Sequence, residues 1–356
     1  MAIRQLSLND FRNLRSTTLD FHDRLNLVTG SNGSGKTSLL EAVHVLCQAH
    51  SFRTHQLRQC IRHDSRQFLL FGRFDDFKAG LSRSQEKLEI HVDGEKIKRR
   101  SELVRKAPIL VLNADSFSLI EGSPQQRRAY MDWALFHVEH DFALRWSEFR
   151  HALRQRNRLL KNRRDLQLLD YWDESLVTPS LELDRMRRRF AEELEKILVA
   201  EFDDLLGDLS LGLSYQPGWK EGESLAEVLR QQRQRDLQSG FTQSGVHRAD
   251  IRLDSKDHPA SEVLSRGQSK RVCLALLLGA LKLVATRSGQ RIILLIDDLN
   301  AELDEAAREQ VYQRLFEMDL QLIISNIDSP IPASAGAKEF KWFHVEHGII
   351  RPRNFS

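Results

Sequence analysis

Gly30-Ser31-Asn32-Gly33-Ser34-Gly35-Lys36-Thr37 has the pattern of a phosphate-binding loop, with spaced glycines before a Lys-Thr pair. An apolar run, Leu25 to Val28, precedes it and an amphipathic run from Ser38 follows it, so the pattern predicts strand, loop and helix. The glycines would let backbone N–H groups point at a β-phosphate. We expect Lys36 to reach the β- and γ-phosphates and Thr37 to hold Mg²⁺. The alternative is a surface turn.

A second stretch, Arg291 to Asp298, is an apolar strand closed by two acids. A buried parallel strand is apolar throughout, and ligands of α/β proteins lie at its carboxyl end. Asp297 would hold the Mg²⁺ shell, whereas Asp298 would orient the attacking water or accept its proton. The alternative is a core strand that ends in a solvated turn.

The segment Leu264 to Lys270 precedes a long apolar helix and carries Ser265 and Gly267. A serine and a glycine at a helix start offer N–H groups to an anion. Since a single nucleotide rarely needs two such sites in one chain, we expect this second site to serve the nucleotide of another subunit. The alternative is an ordinary helix with Ser265 as its N-cap.

The composition allows one large α/β domain and a smaller one, because 41% of the 356 residues are hydrophobic. With a net charge of only +3, any nucleic-acid surface must be a local patch. Cys47, Cys60 and Cys273 form no CxxC pair, which favours a reducing cytoplasm. The most apolar stretch, Cys273 to Ala285, contains Lys282 and is shorter than the roughly 20 residues of a membrane span, so we expect no membrane domain.

The remaining pattern predicts a discontinuous α/β lobe, residues 1–115 plus 240–356, and an inserted helical lobe, residues 116–239. Alternating residues predict strands before Gly30 and from Phe68 to Ile97, where Asp93-Gly94 indicates a hairpin. Little strand signal occurs between Gln125 and Arg235. Further along, His247 and Asp250 are predicted to pair with each other.

Arginines are concentrated in the helical lobe. Such runs are usually solvated helix faces, but they also suit phosphate contacts to a nucleic acid. The two runs comprise Arg145, Arg150, Arg154, Arg156, Arg158, Lys161, Arg163 and Arg164, and then Arg185, Arg187, Arg188 and Arg189.

Four motifs follow one another in the chain: the phosphate loop, the Leu264–Lys270 signature, the acidic strand and a D-loop at Ala301 to Asp304. This order resembles that of the ABC-type ATPase heads of DNA-maintenance proteins. More narrowly, the chain resembles the RecF family of bacterial recombination mediators over essentially its full length. The stretches that carry this resemblance are Phe11-Arg12-Asn13, Ser51-Phe52-Arg53, Leu119 to Pro124, Arg127-Arg128, Asp132-Trp133, His247 to Asp250 and Phe343 to Gly348.

The resemblance implies a weak, DNA-stimulated ATPase that forms a homodimer when ATP is bound. Ser265 and Gly267 would then contact the γ-phosphate held by Lys36 of the opposite subunit. The dimer would bind duplex DNA near single-strand gaps and junctions and, with RecR and RecO, place RecA on strands coated by SSB. It would thereby support replication restart and SOS induction. The region from Arg145 to Arg164 would contribute to the DNA surface.

Two positions depart from the ABC pattern. Ser325-Asn326 stands where transporter-type ATPases have a histidine, and Asn113-Ala114-Asp115 lacks the usual glutamine, for which Asp115 would substitute. Both changes suit slow hydrolysis. The alternatives are the nucleotide-binding subunit of a membrane transporter and a binding protein in which the nucleotide is structural. No Asn-Lys-x-Asp motif of a GTPase and no further acidic cluster of a nuclease is found in the sequence.

Overall fold

The computed structural model describes residues 1–206, 211–255, 258–299, 302–326 and 339–353, with side chains through Val199 in the first range. The chain divides into two compact units. Unit 1 comprises Met1–Phe117 and Ser288–Ser356, and unit 2 comprises Ser118–Arg287.

The described residues form strands and helices in a mixed order. The strands are β1 (Ile3–Asn9), β2 (Thr17–Asp20), β3 (Leu25–Thr29), β4 (Gln67–Phe74), β5 (Lys78–Ser84), β6 (Leu88–Val92), β7 (Glu95–Lys96), β8 (Ile109–Leu112), β9 (Leu211–Gln216), β10 (Asp250–Ser255), β11 (His258–Pro259), β12 (Ile292–Asp297), β13 (Leu320–Asn326), β14 (Lys341–Glu346) and β15 (Ile349–Arg353). The helices are α1 (Lys36–Gln48), α2 (Arg100–Lys106), α3 (Pro124–Val138), α4 (Phe142–Asn162), α5 (Leu169–Leu206), α6 (Leu225–Gln231), α7 (Arg233–Ser239), α8 (Ala260–Val263), α9 (Arg266–Ser288) and α10 (Glu305–Glu317).

Unit 1 contains a sheet with the strand order β15-β14-β3-β13-β12-β8. Its strands from β14 to β8 are parallel, and β15 is antiparallel to β14. The central strands β3 and β13 are buried along their whole length, as expected for parallel strands covered on both faces. Because β3, β12 and β13 are neighbours, their carboxyl ends lie at one edge of the sheet, where the predicted ligand residues follow.

The second sheet of unit 1 is antiparallel, in the order β2-β1-β4-β5-β6-β7. Asp93 and Gly94 connect β6 and β7, which confirms the predicted hairpin. Helix α1 contacts β4 and β5 of this sheet and β8, β12 and β13 of the other. Its apolar side chains, Leu39, Leu40, Val43 and Leu46 among them, lie in a core shared with both sheets. This packing fixes the axis of the helix that begins at Lys36.

Unit 2 combines helices α3–α9 with a small sheet in the order β11-β10-β9. Between Gln125 and Arg235, where the sequence predicts little strand structure, β9 is the one strand among the described residues. In Leu211–Gln216 the apolar residues alternate with Gly212 and Ser214, which have weak strand propensity, and pairing with β10 overrides that weakness. Helix α9 is buried on nearly all sides from Val272 to Val284, which explains its uniformly apolar sequence.

The two units do not coincide with the lobes expected from sequence. Residues 240–287 cluster with the helices of unit 2, whereas the prediction grouped them with the α/β lobe. A unit defined by contacts and a lobe defined by nucleotide chemistry need not share boundaries. The assignment of 240–287 to a nucleotide-binding lobe therefore stays a prediction.

Candidate nucleotide-binding site

The phosphate-loop pattern lies between the end of β3 and the start of α1, as predicted. Gly30 has φ 151°, and a Cβ added there would lie 2.2 Å from the carbonyl oxygen of Val345 on β14. Only glycine fits this approach, since any side chain would collide with backbone. The loop therefore depends on a strand near the other end of the chain.

Further contacts hold the loop from outside. The amide nitrogen Nδ2 of Asn13 lies 3.4 Å from the carbonyl oxygen of Gly33 and 3.3 Å from that of Ser34. Ser38 Oγ donates to Asn13 Oδ1 at 2.9 Å, and the backbone N–H of Gly348 donates to the Ser34 carbonyl at 3.0 Å. Asn13 thus joins the loop to the first turn of α1. This contact gives the Phe11-Arg12-Asn13 motif a structural role beside the loop.

Lys36 is buried at the base of the loop. Its ammonium nitrogen donates to the carbonyl oxygens of Gly30 at 2.6 Å and Ser31 at 3.0 Å. A buried ammonium requires acceptors, and these carbonyls hold it on the concave side of the loop. Phosphate oxygens are stronger acceptors for the same protons, because they are charged.

Oxygen ligands converge at the carboxyl ends of β12 and β13. Thr37 Oγ1 donates to Asp297 Oδ1 at 3.0 Å, and Ser325 Oγ donates to the same oxygen at 2.6 Å. A hydroxyl and a carboxylate are the hard oxygen donors that Mg²⁺ prefers. The residue types and their contact therefore fit the predicted Mg²⁺ ligands, Thr37 and Asp297.

Asp298 follows with a backbone conformation unusual for a residue with a side chain, at φ 54°. Its N–H donates to Ser325 Oγ at 3.1 Å. Its carboxylate oxygen Oδ1 is buried and has no hydrogen-bond partner within the described part of the chain. Since buried carboxylate oxygens are nearly always satisfied, this oxygen is an acceptor available to a ligand or water.

These side chains line a cavity of about 1100 Å³ that lies within unit 1. Its wall also includes Asn113, Ala114 and Asp115, the segment predicted to replace the usual glutamine loop. Of the predicted D-loop, Glu302 lines the cavity, whereas Ala301 lies outside the described residues. The lining residues are Arg12, Asn13, Asn32, Gly33, Gly35, Lys36, Thr37, Ser38, Phe52, Arg53, Gln59, Ile61, Arg62, His63, Asp64, Asn113, Ala114, Asp115, Asp297, Asp298 and Glu302.

Sequence reasoning missed Glu41, a fully buried carboxylate beside this cavity. Arg12 donates to its two oxygens at 2.9 and 2.7 Å, Arg53 at 3.2 Å and Ser51 Oγ at 2.5 Å. Burial alone raises the pKa of Glu41, but the hydrogen bonds and charges of these partners outweigh it and lower the pKa below its ordinary value. Glu41 therefore orients two cationic side chains that line the cavity.

In unit 2, Ser265 immediately precedes helix α9, as the signature pattern requires. Ser265 Oγ accepts from the N–H of Gln268 at 3.3 Å, and Gln268 Oε1 accepts from the N–H of Ser265 at 2.8 Å. This reciprocal pair is a capping box. A Cβ added at Gly267 would meet no atom within 4 Å, so the backbone there is open to approach. The role of Ser265 and Gly267 toward a second subunit stays a prediction.

Two of the stretches that resemble the RecF family, Arg127-Arg128 and His247 to Asp250, contact each other inside unit 2. Arg127 donates to both carboxylate oxygens of Asp250 at 2.8 Å, and Arg128 donates to the Ala249 carbonyl at 2.7 Å. The predicted pairing of His247 with Asp250 is therefore wrong, because Asp250 is held by Arg127. His247 instead contacts the Thr242 carbonyl at 3.0 Å.

Several arginines of the two runs are not available to a nucleic acid. Arg156 is fully buried and donates to Asp236 and Thr242 at 2.7 and 2.8 Å. Arg187 is fully buried and donates to Asp132 and the Val246 carbonyl. The prediction of a phosphate contact is therefore wrong for these two arginines. In the second run, Arg185, Arg188 and Arg189 form ion pairs with Glu182, Glu221 and Glu139.

Together, the glycine loop between β3 and α1, the acids that end β12 and the capped helix α9 define a P-loop ATPase head of mixed α/β fold. The family model described as RecF/RecN/SMC N terminal domain matches residues 2–351. The chain belongs to the RecF family within this group. It is 39% identical to the DNA replication and repair protein RecF of Chromohalobacter salexigens and 35% identical to that of Shewanella denitrificans; each match covers 98% of this chain and 99% of the relative.

Solved structures have the same fold. The recombination mediator protein RecF–ATP of the RecFOR pathway superposes with a TM-score of 0.88 at 23% identity, covering 99% of this chain and 98% of that one. An Smc head bound to the C-terminal winged-helix domain of ScpA superposes with a TM-score of 0.61 at 16% identity, covering 100% and 98%. Among the described helices, none has the length and apolar character to cross a membrane.

Proposed function

We propose that this protein is an ATP-dependent DNA-binding protein of recombinational repair, and that ATP joins two copies of the chain. The observation that carries the proposal is the convergence of Lys36, Thr37, Asp297 and Asp298 on one cavity. The names of the relatives support repair rather than transport, the alternative considered from sequence.

In this proposal, each side of the nucleotide is bound by its own set of residues. The N–H groups of Gly30–Thr37 and the Lys36 ammonium bind the β- and γ-phosphates. Thr37 and Asp297 hold Mg²⁺, which neutralises charge on the phosphate oxygens when bound. Asp298, with its unpartnered carboxylate oxygen, orients the attacking water and accepts its proton.

The second subunit completes the site. Ser265 and Gly267 at the start of its α9 contact the γ-phosphate held by Lys36 of the first copy. A γ-phosphate shared by two chains stabilises only the closed dimer, and hydrolysis removes that preference. Weak hydrolysis, stimulated by DNA, then acts as a timer for release.

The DNA surface includes an exposed row of cations on helix α4, in unit 2. Arg150, Arg154 and Arg158 are spaced four residues apart, so they lie on one face of the helix, and Lys161 and Arg164 follow. None of these five side chains has an acidic partner in the described ranges, whereas the acid of α4, Glu148, pairs with Arg145. Unpaired cations in a row suit sequence-independent contacts to duplex phosphates.

Unit 1 supplies a basic segment at the rim of the nucleotide cavity. Arg62 and His63 line the cavity, and the flanking Arg58 and Arg66 are exposed. Phosphates bound along this segment would touch the wall of the nucleotide site, which gives a physical route by which DNA stimulates hydrolysis.

In the cell, the ATP-bound dimer binds duplex DNA near single-strand gaps and junctions in the cytoplasm. Acting with RecR and RecO, it promotes the loading of RecA onto strands coated by SSB, and so supports replication restart and SOS induction. The solved RecF structures are named for the RecFOR pathway, which supports these partners.

Sedimentation with ATP, ADP or no nucleotide, repeated with gapped DNA, tests the proposal. We expect dimers with ATP, but not with ADP or without nucleotide. We expect Lys36→Met to abolish both dimerisation and hydrolysis. Asp298→Asn is the matched variant, since it should retain ATP-bound dimers but hydrolyse ATP about 10²- to 10⁴-fold more slowly. A wild-type chain that stays monomeric with every nucleotide, or binds DNA equally without one, would refute the proposal.

The basic row has its own test. Arg154→Glu with Arg158→Glu should weaken duplex binding and flatten its dependence on salt, because fewer counterions are released. Arg185→Glu is the control, as that side chain is engaged by Glu182. Unchanged affinity and salt slope would remove α4 from the DNA surface.

A further inference from the structure

Strand β4 departs from the alternation expected of a sheet that has one face open to water. Phe68 and Leu70 point into the core of unit 1, as expected for alternate residues of an antiparallel strand. Leu69 and Phe71 point to the opposite face and are also large and apolar, and they are 42% and 40% exposed. Apolar residues at such positions carry a local cost, because water-facing strand positions are normally polar unless they serve a function.

Leu69 and Phe71 lie in a groove of about 730 Å³ on the outer face of the antiparallel sheet. In the strand register, Phe71 is opposite Ser7 on β1 and Gly80 on β5. Leu69 is opposite Ser82 on β5. These small neighbours leave the flanks of both apolar side chains accessible. Among the described residues that line the groove, none is Lys, Arg, Asp or Glu, so the groove itself suits an apolar group of a ligand.

Two cations stand beside the groove and face each other. Arg73 is two residues after Phe71 on the same outer face of β4, roughly 7 Å along the strand. Lys78 on β5 is directly opposite Arg73 in the register, and both side chains are exposed. Like charges directly opposite each other destabilise a sheet. A second local cost therefore adjoins the first, and such clustered departures from the rules of sheet design are expected at functional sites.

Most acids of this face and of its turns are engaged by other groups. Asp93 accepts from the backbone N–H of Lys78 at 2.8 Å, and Asp76 is exposed in the turn between β4 and β5. Three further acids have these partners: Asp20 with Gln5, Asp75 with Arg4, and Glu89 with Lys96. Within the described ranges neither Arg73 nor Lys78 forms an ion pair, so both charges are available to a ligand.

The distribution of charge selects among the classes of ligand. A nucleic-acid strand needs a track of cations for its phosphates, but the charge here is confined to one pair beside an uncharged groove. A second copy docked about a two-fold axis would bring the same surface against itself, and so would place the cations of both copies at one interface. A carboxylate of a different protein relieves the repulsion between Arg73 and Lys78 instead.

We infer that this face docks a segment of another protein that carries large apolar side chains next to carboxylates. The apolar side chains cover Leu69 and Phe71, and the carboxylates pair with Arg73 and Lys78. The spacing of roughly 7 Å between Phe71 and Arg73 corresponds to residues two apart in an extended segment or about four apart on a helix. The groove shares no lining residue with the nucleotide cavity, so the docking surface adds a protein partner to the proposed ATPase.

Peptide display provides the test, with the full chain as bait and a library of random linear peptides on phage as the probe. We expect the wild type to enrich peptides that combine large apolar residues with carboxylates. Leu69→Ser with Phe71→Ser should lose this enrichment. Arg73→Glu with Lys78→Glu should instead select basic residues in place of acids. Leu181→Ser, at an exposed apolar residue of α5 in unit 2, is the matched control and should select as the wild type does.

A synthetic peptide from the enriched set then gives the affinity by fluorescence anisotropy. Phe71→Ala should weaken binding about tenfold, as for an anchor residue in a protein interface. Charge reversal at Arg73 and Lys78 should also weaken binding at low salt and remove its dependence on salt. Each variant should keep the urea midpoint of the wild type, because the substituted side chains lie on the surface.

A wild-type selection without apolar and acidic peptides, or an equal selection by the Leu69 and Phe71 variant, would overturn the inference. Loss of duplex DNA binding by that variant, with its peptide selection unchanged, would assign the face to nucleic acid and equally overturn it. Neither result bears on dimerisation by ATP, which the Lys36→Met test decides separately.

Discussion

Ser325 Oγ donates a 2.6 Å hydrogen bond to Asp297 Oδ1 and accepts one from the N–H of Asp298 at 3.1 Å. A single hydroxyl on β13 thus fixes the predicted Mg²⁺ ligand at the end of β12 and the backbone of the predicted base, Asp298, that follows it. The parallel register that pairs Asp297 with Ser325 creates this contact. The sequence pattern predicts that Ser325-Asn326 takes the place of the histidine of transporter-type ATPases, and in the structure Ser325 contacts both acids.

Ser325→Ala tests this relationship. We expect Mg²⁺-dependent ATP hydrolysis to fall about 10- to 100-fold, as is typical when a group that orients a metal ligand is lost. Binding of a fluorescent ATP analogue in EDTA should change little. Ser7→Ala, which removes a hydroxyl that contacts Thr18 on the other sheet, is the control. Full hydrolysis by Ser325→Ala would contradict the role.

Glu41→Gln tests the buried carboxylate that Arg12 and Arg53 share. The amide keeps the size but not the charge, so two arginines lose their partner, and we expect a loss of about 3 kcal/mol in the free energy of unfolding. Urea denaturation provides the measurement. Glu89→Gln removes an exposed ion pair with Lys87 and Lys96 and should have little effect. Similar stability of the two variants would show that the Glu41 cluster contributes little.

Gly348→Ala tests the outer support of the loop. At φ 74°, an added Cβ would lie 1.9 Å from the carbonyl oxygen of Asn13, so the backbone around Asn13 must move. We expect a loss of about 2 kcal/mol or more in stability, and weaker nucleotide binding by titration calorimetry. Gly80→Ala is the matched control, because its Cβ would meet Phe71 at an ordinary 3.9 Å. Equal nucleotide affinity in both variants would argue against this support.

His44 predicts an acid-sensitive step in stability. Burial lowers its pKa to about 4, with opposition from its hydrogen bond to the His50 carbonyl. Between this pKa and the ordinary 6.5, the unfolded chain binds a proton that the folded chain does not. The stabilisation is therefore complete above pH 6.5 and lost as the pH falls toward 4.

His44→Gln should reduce the loss of stability between neutral and acidic pH, measured by urea denaturation across that window. The exposed His63→Gln is the control. Identical pH profiles for the wild type and His44→Gln would show that another group accounts for the acid sensitivity.

The nucleotide loop and the acidic strand could be predicted because their geometry is local. Glycines before Lys36, and an apolar run before Asp297, encode the conformation within a few residues of chain. Glu41 could not be predicted in this way. An acid within the amphipathic sequence of α1 normally faces water. Glu41 is buried instead, because Arg12 and Arg53, which lie outside α1 in the sequence, bind its carboxylate in the folded chain.

The burial of Arg156 could have been predicted from the sequence. Arg156 lies at helical spacing from Phe149, Ala152 and Leu160, all of which are buried on α4. Its place on that apolar stripe distinguishes it from Arg154 and Arg158, which lie off the stripe. The partners Asp173 and Asp236 lie on other helices and become visible only in the folded chain.

The pairing of β14 with β3 has a consequence for biosynthesis. Thr29 and His344, which face each other in this pair, are separated by 315 positions. A ribosome adding about 5–20 residues per second needs roughly 15–60 s to connect them. During that interval Gly30 lacks its neighbour Val345, and the loop lacks its support from β14. The strand that supports Gly30 is therefore added long after the loop has been synthesised, so the loop can reach its final conformation only after translation has passed Val345.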